Sequence, residues 1–134
     1  VTEGEFLEHA TVYGNRYGVP RTPVREALER GQDVFIKIDV QGAASVRALI
    51  PESIGIFLAP ESMDSLRLRL AARKTDTGTA LERRFQEAQN ELLRVNEFDY
   101  VVFNETNGLL RAVDEISAIV QAVRARIHQK PTHL

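Results

Sequence analysis

The chain has 134 residues, 27% of them charged and 43% hydrophobic, and carries a net charge of -2. That is the size of one domain with a respectable core, and the near-balanced charge leaves no general footprint for nucleic acid or a membrane surface. The absence of cysteine excludes disulfides and thiolate metal sites and fits a cytoplasmic location.

No apolar run approaches the ~18 residues of a membrane span, and no signal-peptide pattern opens the chain. The first residue is Val1, already inside a motif, so the amino terminus reads as cut or unobserved. Phe6-Leu7 and Thr11-Val12-Tyr13 read as small strands, with Gly14, Asn15 and Gly18 supplying turn conformations. Thr22 before Pro23 predicts a helix start, Val24, Ala27 and Leu28 give that helix an apolar face, and Gly31 closes it. Residues 34–40 predict a largely buried strand, and residues 43–50 a helix stopped by Pro51. A second buried strand is expected at 54–58, then a helix capped by Ser62 with Met63, Leu66 and Leu70 on one face. Residues 74–78 are polar and glycine-bearing, and are expected to be mobile. Thr79 and Glu82 have capping-box spacing ahead of a helix carrying Leu81, Phe85, Ala88, Leu92 and Val95. A third buried strand is expected at 100–103, and the last helix carries Leu109, Val113, Ile116, Val120, Val123 and Ile127. Strands alternating with helices predict an α/β fold with a parallel sheet.

Several residues can carry chemistry. Glu8 is by residue type alone a solvated strand residue. Tyr17, next to Gly18, can project its hydroxyl into a cleft or simply cover a small lobe. Asp39 falls near the carboxyl end of the strand expected at 34–40, where α/β proteins hold ligands, and a buried aspartate there needs a partner or solvent. Lys37 either pairs with an acid or stands near a polyanion. Arg67, Arg69, Arg73, Lys74, Arg83 and Arg84 form a basic stretch relieved only by Asp76 and Glu82. Such a stretch is either a solvated helix surface or a hinged clamp that neutralises phosphate. Asn104 ends the third expected strand, where asparagine is ordinarily a turn residue. His9, His128 and His133 are scattered without metal-ligand spacing, and neither a G-x-G-x-x-G nor a G-x-x-x-x-G-K-[ST] loop occurs.

Gly4-Glu5-Phe6-Leu7-Glu8, Gly14-Asn15-Arg16-Tyr17-Gly18, Ile38-Asp39-Val40-Gln41-Gly42 and the run Arg69-Leu70-x-x-Arg73-x-Thr75 with Arg84 together resemble the guanylate kinase family. The resemblance implies a P-loop nucleoside-monophosphate-kinase-like parallel sheet flanked by helices, missing its first strand and phosphate loop, with a small GMP-binding lobe and a helical lid. It implies that residues 1–33 are the remainder of the GMP-binding lobe and 34–134 the core α/β domain, with the lid at about 69–84. The implied activity is transfer of phosphate from ATP to GMP, giving ADP and GDP, with Mg2+ accompanying ATP. Glu8 would read guanine, and Tyr17, Gly18 and Asp39 would complete the GMP-binding set. Arg69, Arg73 and Arg84 would clamp the transferring phosphoryl group, and Arg73 and Asn104 would contact ATP. Two positions depart from the family pattern: Val19 replaces a frequent hydroxyl residue, and Lys37 replaces a usual acid. Without the phosphate loop, the 134-residue chain alone is expected to be inactive. Its open sheet edges are expected to drive self-association or strand exchange if the chain is truly truncated. The alternative is a catalytically inactive module that binds phosphopeptides; the standing Arg69, Arg73 and Arg84 argue for the enzyme lineage.

Overall fold

A computed structural model describes residues 5–12, 15–72, 78–128 and 132. The chain divides into two compact units, one of residues 1–53 with 129–134 and one of residues 54–128.

The first unit opens with an antiparallel hairpin of β1 (Phe6–Val12) and β2 (Asn15–Pro20). The two short strands expected here form one ladder that takes in Gly18, paired with His9, against the turn expected at Gly18; Gly14 lies outside the described residues. Pairing satisfies the backbone of both strands, and an interior glycine weakens such a ladder without ending it. Phe6 lies opposite Pro20 and Glu8 opposite Val19, so Leu7 is the extra residue of a bulge, and its side chain is buried. Helix α1 (Arg21–Glu29) starts ahead of Thr22, with Pro20 as N-cap and no side-chain capping bond. Its other end is as expected. Gly31 adopts φ 74°, its N–H donates to Leu28 O at 2.9 Å, and Gln32 N–H donates to Ala27 O at 3.0 Å, the two bonds of a Schellman ending.

Residues 34–39 are the main correction: they form no ladder with any described strand. Val34, Ile36 and Ile38 pack onto the core of Leu7, Val24, Val46 and Ile50, while Phe35 is 70% exposed. The alternation therefore sorts side chains as a strand would, but a strand also needs backbone partners, which a local pattern does not supply. Helix α2 (Val40–Leu49) starts earlier than expected because Asp39 caps it. Asp39 Oδ1 accepts the Gly42 N–H at 2.8 Å, and Asp39 O accepts the Ala43 N–H at 2.9 Å.

In the second unit β3 (Ile56–Pro60) and β4 (Tyr100–Asn104) run parallel, with Ile56 opposite Tyr100 and Pro60 opposite Asn104. The described parallel sheet thus has two strands instead of three, and the first begins two residues beyond Ile54. Residue Gly55 ties the strand entries together: its N–H donates to Asp99 Oδ2 at 2.8 Å, and its carbonyl accepts the Asp99 and Tyr100 N–H groups. Phe57, Ala59 and Val102 are buried, and the Phe57 ring meets Phe98 edge-on with centroids 5.2 Å apart. Leu58, Val101 and Phe103 are exposed, against the expectation of buried strands. Two strands and their helices leave part of each face uncovered, because parallel strands are fully buried only when flanked on both faces.

Helix α3 (Met63–Ala72) follows Ser62, whose Oγ accepts the Ser65 N–H at 3.0 Å, the cap expected there. Helix α4 (Gly78–Leu92) contains both Thr79 and Glu82 as helical residues, so their spacing is not used as a capping box. Residues 73–77, most of the segment expected to be mobile, lie outside the described residues. Helix α5 (Leu109–Arg124) packs on β4 and buries Ala112, while Leu109 and Val113 of the expected apolar pattern, and Leu110 beside them, stay exposed. Among the described residues no helix is long and apolar enough to cross a membrane.

Candidate functional site

In the first unit the candidate residues sit on the hairpin and at the entrance of α2. The ladder sets Glu8 opposite Val19 and Tyr17 opposite Ala10, so positions 8 and 17 belong to one face of the ribbon. The side chains of Glu8 and Tyr17 lie outside the described parts; Gly18 is exposed. Asp39, expected at a buried strand end, is instead an exposed N-cap. The capping bond engages Oδ1, and a carboxylate has a second oxygen with which to accept a ligand donor. Lys37 is exposed and makes no ion pair among the described residues, so the acid expected beside it is not found there.

The second unit brings two candidates together. Arg69 on α3 donates from Nη2 to the main-chain carbonyl of Asn104 at 2.6 Å and to Thr106 Oγ1 at 3.4 Å. This junction lies at the carboxyl end of β4, the end of a parallel sheet where α/β folds bind ligands. It is a charge-assisted bond to a strand-terminal carbonyl that has no further ladder to join. Arg84 is exposed on α4, and Arg73 lies outside the described residues.

Arg67, expected only as part of the basic stretch, has a role of its own. Its guanidinium stacks 4.1 Å from the centroid of Phe85, and Nη1 stands 3.1 Å from Glu82 Oε1, so Arg67 pins α3 to α4. Glu82 and Phe85 are three apart on α4 and share a face, while helical rotation turns Arg84 about 100° from Phe85. The available signal was an acid and an aromatic at that spacing within reach of a long cation, but nothing local says which two helices will pack.

These features define an α/β protein with a parallel strand pair flanked by helices, and comparison with known proteins specifies the family. The family profile for guanylate kinase matches residues 1–123. The guanylate kinase of Dechloromonas aromatica is 44% identical over 122 residues, covering 91% of this chain and 59% of that protein. The guanylate kinase of Symbiobacterium thermophilum is 45% identical over 126 residues, covering 94% of this chain and 59% of that protein. A crystal structure of guanylate kinase from Anaplasma phagocytophilum aligns with a TM-score of 0.74 at 33% identity, covering 92% of this chain and 58% of that one. The chain belongs to the guanylate kinase family. It spans about three-fifths of the length of the curated relatives it matches.

Proposed function

We propose that this chain supplies the acceptor lobe and lid of an enzyme that transfers phosphate from ATP to GMP, giving ADP and GDP. The observation that carries the reading is the Arg69–Asn104 junction at a parallel strand end, in a chain of this family. Glu8 accepts N1–H and the 2-amino group of guanine, and Tyr17, Gly18 and Asp39 hold the rest of GMP. Asn104 contacts the adenine of ATP. Arg69, Arg73 and Arg84 are the clamp on the transferring phosphoryl group, where positive charge stabilises the oxygens as they share the developing charge. The bonds to Asn104 and Thr106 use only Nη2 of Arg69, so Nε and Nη1 keep donors for that clamp. In this assignment residues 1–33 act as the acceptor lobe and 34–134 as the core with its lid, a functional division distinct from the packing units.

Mg2+ belongs to this reading as the partner of ATP. Among the described residues no three or more His, Cys, Asp or Glu side chains converge to hold a metal. This reading has the ion accompany the phosphates of ATP, its common mode of binding. A cytoplasmic setting accompanies the proposal. The phosphopeptide-module alternative is not favoured, since the relatives bear the name of the kinase.

Calorimetric titration with GMP and AMP, carried to millimolar nucleotide, tests the proposal. Tighter binding of GMP is expected. Equal binding of the two, or a preference for AMP, would remove the guanine-reading assignment.

A further inference from the structure

The turn after β4 is engaged by Arg69 and Glu61, and Arg111 Nη1 lies 3.6 Å from Glu105 Oε2 at its start. Gly108 N–H donates to Glu105 O at 3.0 Å, and Asn107 adopts φ 61°, so residues 105–108 form a tight turn with a left-handed third residue. The turn is closely built: a Cβ on Gly108 would come within 2.9 Å of Glu105 Cβ. A non-glycine residue at positive φ persists when its surroundings hold it there. Arg69 holds one side, through Asn104 O and Thr106 Oγ1. Glu61, just ahead of α3, holds the other. Its Oε2 accepts the Thr106 N–H at 3.2 Å and lies 3.5 Å from Ser65 Oγ, so one carboxylate joins the turn to the first turn of the lid-bearing helix.

We infer that Glu61 is a positioning residue for the adenine subsite: through Thr106 it fixes the turn that presents Asn104, and thereby sets ATP affinity without touching the nucleotide. The inference rests on the assignment of Asn104 to adenine proposed above. The bond is exposed, so water competes for the Thr106 N–H and the effect of losing it is moderate. Alanine at position 61 removes the acceptor, whereas glutamine keeps a side-chain oxygen that can still take the Thr106 N–H. A general electrostatic role would be lost in both variants; a positioning role is rescued by glutamine.

The test measures binding of a fluorescent adenine nucleotide, mant-ATP, and of GMP to the full chain and to its E61A, E61Q and N104A variants. Hydrogen exchange at the Thr106 amide is followed in parallel. E61A should weaken mant-ATP binding about threefold to tenfold and speed Thr106 exchange, with E61Q within about twofold of the parent and GMP affinity unchanged in both. If N104A weakens mant-ATP binding and E61A does not, the role of Glu61 is overturned while the Asn104 assignment stands. If N104A has no effect on mant-ATP binding, the Asn104 assignment fails and the inference falls with it. Equal losses for mant-ATP and GMP in E61A would mark a general structural role and also overturn the inference.

Discussion

Asp39 carries two demands on one carboxylate. It caps α2 through Gly42 and is proposed to touch GMP. Asparagine caps helices about as well as aspartate, whereas alanine does not. D39A should therefore lower stability by about 1 kcal/mol, while D39N should stay within a few tenths of a kcal/mol. Both should bind GMP more weakly, because neither offers a charged acceptor. Urea unfolding beside calorimetry separates the two demands, and unchanged GMP binding by D39N would leave Asp39 as a cap alone. The acid at this position was legible in the sequence; its capping role was not, because Gly42 suggested a helix start after residue 42 while the helix begins at Val40. Arg67 escaped for a different reason: its partners Glu82 and Phe85 lie on another helix, and local spacing names no tertiary neighbour.

Helix punctuation transferred from sequence to structure at Gly31 and Ser62, but not at Thr22 or Thr79, which lie inside helices. Gly31 ends α1 at φ 74°, and space for a Cβ is open there, so G31A should be destabilised by backbone strain alone, by about 1 kcal/mol in urea unfolding. An unchanged midpoint would show that the helix end shifts to avoid the left-handed conformation. Arg67 offers a second check at this scale. R67K keeps the charge beside Glu82 but loses the planar stack on Phe85, and should lose roughly 0.5–1 kcal/mol by thermal unfolding. Equal stability would mean the stack contributes nothing at this half-exposed site. Residues 34–39 mark where element-level reading stops. A largely buried strand is expected there; Val34, Ile36 and Ile38 do pack on the core, but Phe35 is exposed, and the ladder that would make them a strand depends on a partner elsewhere.

For the molecule as a whole, family membership was the most legible property, because short motifs at several places along the chain agreed with one another. The exposure of the folded units was not legible. Leu58, Val101 and Phe103 on the sheet and Leu109 and Val113 on α5 are apolar and exposed, although their patterns predicted burial, and Leu110 is exposed beside them. Exposed apolar surface on adjoining elements favours association, so the 134-residue chain should self-associate as its concentration rises. Sedimentation velocity checks this, and a strict monomer across the soluble range would contradict it. The central proposal is that the carboxylate at position 8 reads guanine through two donors at once. The most direct measurement is a calorimetric series with GMP, IMP and AMP on the parent chain and on E8Q. IMP keeps N1–H but lacks the 2-amino group, so the parent should bind GMP most tightly, IMP next and AMP least, and E8Q should lose most of the separation between GMP and IMP. Indistinguishable GMP and IMP in the parent, or a GMP preference that survives in E8Q, would contradict the account.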